Sequence, residues 1–481
     1  MRVSSRSTTE DPYLSQGRVE SGRVSRVALT AFFLLLAVTS GSLIASGFGV
    51  VLPLVMTLAL LVIVAFRHPN VAWGLYFLSI SATGFVFEVG PAKVRAEMLA
   101  LPLLIICLVN LRAKSRSRNL ASGLSSLGYL LAAAYFLWAA ITTLLNAPTP
   151  APSLWILLQI MTGFTAFLWL RIDDDQKMRM VQIGSLVLGA VAALSVLSWL
   201  GRSFAGLPPS LSIGVAADGR LIGFSFETNI FASQCVGWLA VASRWWGSLP
   251  RTVRFLNLVL GVAVILAGTR AAWIALAVLI AVVGLESSSR SLKWIWGLAA
   301  GVVGLLVLLP SLSQTIEDKN SLAWRLGNLL STDEGTGAYR AGIYETALSD
   351  IDTIGRAIAG SGMNSFSQFH LLDPTGVSAS YLSSIWIAVY YDTGIIGFIL
   401  FFGLLVSIVI SRKNLRDGVI VLTVLLICAS ATNLVWFQYP WIYLGLLSTR
   451  VVALRGLKHY SRIGQSTSAV HVRLQVASGE V

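Results

Sequence analysis

Long apolar runs, separated by short polar stretches, make up most of this sequence. Each run is long enough, or nearly so, to cross the roughly 30 Å hydrocarbon core of a bilayer as a helix. The pattern predicts an all-α polytopic membrane protein with about fourteen transmembrane helices. The predicted spans are residues 27–46, 48–66, 71–87, 98–111, 124–145, 154–170, 181–200, 230–245, 255–267, 271–285, 294–312, 395–411, 419–435 and 441–454.

One polar interval, residues 313–383, interrupts this pattern. A connection of roughly seventy residues is far longer than an ordinary loop and is normally functional or disordered. Its aromatic and aliphatic residues, among them Tyr344 and Phe366, favour a small folded core over disorder. We therefore expect one large loop containing short helices. The predicted organisation is a disordered tail (1–26), a bundle of about eleven membrane helices (27–312), the loop (313–383), an interfacial segment with the last three membrane helices (384–454), and a basic tail (455–481).

The charges predict how the chain is oriented. It is 56% hydrophobic and only 12% charged, which places it in the membrane class. Its net charge of +13 fits cytoplasmic loops that collect Lys and Arg, so we expect no nucleic-acid binding. With the amino terminus inside, most basic residues fall on the cytoplasmic side; both termini are then cytoplasmic and loop 313–383 is extracytoplasmic. The three cysteines lie in apolar spans and imply neither a disulfide framework nor a zinc site.

Three arginines are exceptions to this orientation bias, because they fall on the predicted outer side. Arg220 ends an outer loop, Arg270 lies in a tight turn between two spans, and Arg340 lies in a helix-like stretch of the large loop. Arginine presents a planar fork of donors that suits phosphate, and it keeps its charge. The three together predict a site for a polyanionic head group. The alternative is that Arg270 reaches to lipid phosphates and the other two pair with nearby carboxylates.

Four motifs follow one another between residues 219 and 405. They are RLIGFSFETNIFAS (220–233), AGTRAAW (267–273), the loop pattern that joins Arg340 and Tyr344 to GSGMN (360–364), and YYDTGIIGFILFF (390–402). In order, spacing and predicted topology they resemble the bacterial O-antigen ligases and polymerases. The resemblance implies transfer of a lipid-diphosphate-linked glycan to a sugar hydroxyl at the outer face of the plasma membrane.

The resemblance fails at one position. The ligases have a histidine eleven residues before the first glycine of the Gly-x-x-Gly motif, and here that position, counted back from Gly394, is Ser383. The residue proposed to activate the ligase acceptor is therefore absent, which favours a polymerase. The candidate bases of the outer region are His370, Asp373, Asp392, Glu345 and Glu227, and the predicted catalytic residues among them are His370, Asp392 and Glu345.

Other residues near the end of the loop have predicted supporting roles. Gly394 and Gly397 would allow close packing of the helix after the loop or close approach of its backbone to substrate. Aromatic faces stack on sugars, so the aromatic residues nearby could form an acceptor groove, or could be an interfacial belt. Those aromatic residues are Tyr344, Trp386, Tyr390 and Tyr391.

The leading functional hypothesis is a polymerase of undecaprenyl-diphosphate-linked repeat units for O-antigen, capsule or exopolysaccharide. Its partners would be a lipid-linked glycan donor, a glycan acceptor and the bilayer, with a chain-length regulator and a flippase of the same pathway. The outer loops contain no Asp-x-Asp motif, so we expect an enzyme with no metal and no cofactor. The resemblance implies that it lies in the bacterial plasma membrane. The alternatives are a ligase, or a transporter, which should carry charges along a path at mid-membrane.

Overall fold

The computed structural model describes Ile63 and residues 67–89, 92–114, 124–170, 172–286, 335–370, 381–411 and 415–447. The chain forms two units, Met1–Arg67 and His68–Val481. Only Ile63 and Arg67 of the first unit are described, so every element below belongs to the second. Predicted spans 27–46 and 294–312, most of 48–66, and both predicted tails lie outside the described residues.

The described chain is mostly helical. A two-stranded antiparallel hairpin, β1 (Val86–Val89) and β2 (Ala92–Arg95), follows the first helix, and short 3-10 turns occur at Pro209–Leu211 and Trp246–Ser248. The helices are α1 (Pro69–Ser81), α2 (Ala96–Leu99), α3 (Leu101–Lys114), α4 (Ser126–Asn146), α5 (Pro150–Trp169), α6 (Asp174–Phe204), α7 (Thr228–Ser243), α8 (Arg251–Leu266), α9 (Arg270–Glu286), α10 (Gly335–Ser349), α11 (Ile354–Ala359), α12 (Phe366–Phe369), α13 (Ile385–Ile410), α14 (Leu415–Ala429) and α15 (Gln438–Leu446).

Local signals in the sequence set several helix ends. The Ser125 hydroxyl accepts a hydrogen bond from Gly128 N at 3.1 Å and caps α4. Pro150 opens α5, where its missing N–H needs no partner. Thr353 caps α11 by accepting from Arg356 N at 3.2 Å.

The predicted span 71–87 is shorter than expected. Helix α1 ends at Ser81, and a turn at Thr83 and Gly84 leads into the hairpin. Gly84 N donates to Phe224 O at 3.0 Å, and a Cβ at position 84 would press on that same carbonyl. A short apolar run cannot by itself be assigned to a helix or a strand, so this hairpin could not be predicted from the apolar pattern.

Helix α7 lies at the centre of the bundle, because almost all of its side chains are buried. Trp238 on α7 packs against Phe77 and Tyr443 with ring centroids 4.5 and 5.3 Å away. Its indole N–H donates to Ser185 Oγ at 2.9 Å, so this buried donor has a partner. Aromatic residues from α1, α7 and α15 therefore form the interior.

Hydrogen bonds sort the loops into two groups at opposite ends of the bundle. At one end Leu221 N donates to Leu266 O at 3.4 Å. At the opposite end Arg244 Nη1 donates to Asp417 Oδ2 at 2.8 Å and ties α7 to α14. The end that carries most of the candidate residues is called the loop face. It comprises residues 82–89, 92–100, 205–227, 267–269, 335–370, 381–384 and 430–437.

Four described helices are long and apolar enough to cross a membrane: α4, α5, α6 and α13. Their outward side chains are apolar too, since Leu130 and Leu137, two turns apart on α4, are 65% and 64% exposed. Such a stripe is costly in water but suits lipid. The described residues thus form a polytopic, mainly α-helical membrane protein, and the number of fourteen spans stays a prediction.

Helix α13 is broken at Gly394, where φ is 64° and ψ is −171°. The rings of Trp386 and Phe402 stack with centroids 4.5 Å apart. A straight helix would separate these two positions by about 24 Å. The chain therefore reverses sharply at Gly394, and residues 385–393 fold back against the helical segment that follows.

Candidate functional site

Three segments of the loop face meet around Arg270. Gly268, with φ 66°, makes the tight turn between α8 and α9, and Arg270 is the first residue of α9. The hydrogen bond from Leu221 N to Leu266 O brings the loop before α7 beside this turn. Helix α10 contributes Arg340, whose charge repels that of Arg270. Two of the three predicted arginines thus interact electrostatically, although 70 positions separate them in the sequence.

Arg340 has different surroundings from Arg220. Arg220 Nε lies 2.6 Å from Asp218 Oδ2, and both side chains are more than a quarter exposed. Within the described part of the chain, no carboxylate forms an ion pair with Arg340. Two guanidinium groups whose charges repel each other favour an anion beside them. The Arg270–Arg340 pair is therefore well suited to an anionic ligand.

A carboxylate and a tyrosine lie beside this pair. The Tyr381 hydroxyl donates a hydrogen bond to Oε1 of Glu227, and Glu227 is the residue just before α7. Tyr381 interacts electrostatically with both Arg340 and Tyr339. Burial, and then the charge of Glu227 and the hydrogen bond to it, raise the pKa of Tyr381, while Arg340 opposes the rise. Tyr381 therefore stays a proton donor at neutral pH and ties the end of the large loop to α7.

Ser383, the position where the ligases have a histidine, lies in the same region. Its buried hydroxyl is 2.8 Å from the Tyr344 hydroxyl. Tyr344 lies one helical turn after Arg340 on α10, so it belongs to the face of that helix that carries the cation. Of the four predicted groove residues, Tyr344 is the one that shares a helix face with Arg340, and its hydroxyl contacts Ser383.

His370 is held at the other end of α10. Its Nε2 lies 2.6 Å from Asp350 Oδ2, which also accepts from the Tyr391 hydroxyl at 3.1 Å. The imidazole packs on Phe366 with ring centroids 4.3 Å apart. Asp350 directly follows α10, about 15 Å along the helix axis from Arg340. The structure therefore places His370 in a separate cluster that packs α10 and α12 on α13.

Asp392 fixes the glycine-rich loop to the break in α13. Its backbone carbonyl accepts from Gly362 N at 2.9 Å. The residue is only 4% exposed. Ser361 N also donates to Tyr391 O at 2.8 Å. The backbone carbonyls of Tyr391 and Asp392 therefore anchor the glycine-rich loop, and the Asp392 side chain is buried beneath it.

The remaining predicted residues lie elsewhere. Glu345 is exposed on α10, and Asp373 lies outside the described residues. Trp386 stacks on Phe402 and donates to Ser430 Oγ at 2.8 Å. Tyr390 meets Phe398 edge-on, with ring centroids 6.5 Å apart. Tyr391 is 1% exposed, so its ring has no free face for a sugar.

The two predicted glycines are packing positions. A Cβ at Gly394 would run into the Ile358 carbonyl and would lie 2.7 Å from Ala359 N. A Cβ at Gly397 would press on Thr393 of its own helix and would lie 3.1 Å from Trp138 Cδ1. Both glycines allow close approach of protein to protein, as one of the two sequence-based interpretations expected.

A cavity of about 390 Å³ opens at the His370 end of the loop face. Phe369, which is 48% exposed, offers an aromatic face, and Arg356 and Asn146 offer polar groups. Such a combination suits a ligand with hydroxyl groups and apolar ring faces. The lining residues are Asn146, Thr353, Gly355, Arg356, Ala359, Ser361 and Phe369.

No group of three or more His, Cys, Asp or Glu side chains in the described ranges is arranged to hold a metal ion.

In a comparison with known families, residues 255–402 match the family described as O-antigen ligase. That stretch runs from α8 into α13 and contains Arg270 and Arg340, while Arg220 and Glu227 precede it. No curated protein matches the chain.

Proposed function

We propose, from the match of residues 255–402 to the O-antigen ligase family, that the protein is a membrane glycosyltransferase. It polymerises undecaprenyl-diphosphate-linked repeat units into O-antigen, capsule or exopolysaccharide. The loop face is the extracytoplasmic face of the bacterial plasma membrane, and both termini are cytoplasmic. A ligase that transfers the glycan to a lipid or protein is the alternative.

The observation that carries this proposal is the electrostatic interaction between Arg270 and Arg340 on the loop face. Transfer breaks the bond between the anomeric carbon and the diphosphate, so negative charge grows on the leaving group. Fixed cations aimed at that charge in a water-poor site lower the barrier. One charge-assisted hydrogen bond is worth about 1.5–3 kcal/mol, which corresponds to roughly ten- to hundredfold in rate.

The same two cations offset the leaving-group charge without a metal, so the proposed enzyme is metal-independent. Ser383 supports a polymerase over a ligase, because a serine bound to Tyr344 stands where the ligases have their histidine. Remote sugars of the acceptor glycan are assigned to the cavity beside Phe369. A chain-length regulator and a flippase would act with the enzyme in the same pathway.

The test replaces Arg220, Arg270 and Arg340 singly with alanine in the producing bacterium, and compares the surface glycan by gel. Arg251→Ala is the matched control, since Arg251 is an exposed arginine at the start of α8, at the end of the bundle opposite the loop face. We expect Arg270→Ala and Arg340→Ala to shorten the ladder and the control to leave it unchanged. Glycans of a single repeat unit would favour the polymerase over the ligase. Full-length ladders from all three variants would contradict the proposal.

A further inference from the structure

Among the described carboxylates, Glu227 is the one that is hydrogen-bonded to a residue interacting with Arg340. Tyr381, which donates to Glu227 Oε1, is also the residue that feels the charge of Arg340. Glu227 belongs to the membrane bundle, since it immediately precedes α7, whereas Tyr381 belongs to the end of the large loop. The carboxylate thus lies where the loop closes on the bundle.

The backbone around Glu227 is held from two sides. Phe226 N donates to Thr83 Oγ1 at 3.3 Å, and Phe231 N donates to the Glu227 carbonyl at 3.1 Å as the first turn of α7 forms. The Tyr381 hydroxyl then fixes the carboxylate itself. A group held at backbone and side chain is pre-organised for proton transfer, which requires geometry before it requires a suitable proton affinity.

The other candidate bases have different tasks in the structure. His370 is bound to Asp350 about 15 Å along α10 from Arg340. Asp392 is buried beneath the glycine-rich loop, whose Gly362 N donates to its backbone carbonyl. Glu345 is exposed on α10.

We propose that Glu227 is the catalytic base that activates the acceptor hydroxyl, and that Tyr381 is its positioning residue. This inference rests on the proposed glycosyl transfer. The acceptor O–H gives its proton to the Glu227 carboxylate, and the acceptor oxygen forms a bond to the anomeric carbon of the donor. The bond from that carbon to the diphosphate oxygen breaks, and its electron pair leaves with the diphosphate beside Arg270 and Arg340. Glu227 then releases the proton to water.

Two substitutions separate a base from a simple latch. Glu227→Gln keeps an oxygen that accepts the Tyr381 hydrogen bond but cannot take a proton at neutral pH. Tyr381→Phe removes the hydrogen bond but keeps the carboxylate. A catalytic base therefore makes Glu227→Gln the more damaging change, whereas a latch between loop and bundle makes Tyr381→Phe the more damaging one.

The experiment uses the full chain, purified and reconstituted in liposomes with lipid-linked repeat units extracted from the producing bacterium. We expect Glu227→Gln to lower kcat by roughly 10²- to 10⁴-fold, the usual range for loss of a general base. The donor KM should stay within about threefold, because the diphosphate contacts the arginines. Glu227→Asp should recover part of kcat, and Tyr381→Phe should lose roughly tenfold or less.

Each outcome has a definite consequence. Glu227→Gln at wild-type kcat, or Tyr381→Phe more damaged than Glu227→Gln, would overturn the assignment of Glu227 and leave the glycosyltransferase intact. A wild-type protein that transfers no glycan, in liposomes where the extracted donor is shown to be intact, would instead overturn the proposed function. Binding of farnesyl diphosphate by Glu227→Gln, measured in detergent, shows that the variant is folded at the anion site.

Discussion

Replacing Gly394 with alanine should disrupt the packing of the large loop against α13. Gly394 has φ 64° and ψ −171°, a region that is essentially restricted to glycine and costs other residues about 1–3 kcal/mol. The added Cβ would also meet the backbone of Ile358 and Ala359, which cannot rotate away. If the loop shifts, the bonds from Ser361 N and Gly362 N to α13 are lost, at about 0.5–1.5 kcal/mol each. The total is about 2–6 kcal/mol.

The assay is thermal unfolding of the purified protein in detergent, together with limited trypsin digestion. Trypsin should cleave Gly394→Ala faster at Arg340 and Arg356, which lie in the loop that the glycine seats. Gly403→Ala is the matched control on the same helix, because its Cβ would meet only the Leu131 side chain at 3.7 Å and beyond. The control should be unchanged or more stable by up to about 1 kcal/mol. Equal unfolding temperatures and equal digestion of Gly394→Ala and wild type would refute the reasoning.

Three further predictions use the liposome assay or unfolding measurements. His370→Gln should keep the transfer rate within about threefold, because His370 is engaged by Asp350 away from the arginine pair; a hundredfold loss of rate would restore it as a catalytic candidate. Trp138→Phe removes the indole N–H that donates to Thr393 O at 2.9 Å, and should cost about 0.5–1.5 kcal/mol of stability in chemical denaturation; an unchanged midpoint would show that this bond contributes nothing. Phe369→Ala should raise the acceptor KM by roughly two- to tenfold through loss of ring contact, with kcat unchanged; an unchanged KM would remove the cavity from the acceptor path.

The sequence predicted the helical membrane architecture well, because long apolar runs have few other folded solutions. In each described stretch, a helix occupies most of each predicted span. The hairpin after α1 escaped prediction, since only the contact between Gly84 and Phe224 explains the turn that starts it. The close stacking of Trp386 on Phe402 also escaped, because it depends on how far the chain turns at Gly394.

The candidate site was predictable in part. The charge bias along the chain singled out Arg270 and Arg340 as outer cations, and in the structure they interact electrostatically. Their pairing could not be read from sequence, since it depends on how α10 packs over the turn before α9. The hydrogen bond between Tyr381 and Glu227 joins segments 154 residues apart, so only the folded chain reveals it. The sequence did place Glu227 just before the apolar span that forms α7.

The most direct test of the central claim is the affinity of the purified protein for farnesyl diphosphate, a short-chain polyprenyl diphosphate, in detergent solution. If Arg270 and Arg340 hold the diphosphate, Arg340→Ala should raise Kd by roughly ten- to hundredfold, as expected for one charge-assisted bond. Arg356→Ala should bind like wild type, and farnesol, which lacks the diphosphate, should not compete. Equal Kd values for wild type and Arg340→Ala, or no binding by the wild-type protein, would contradict the account.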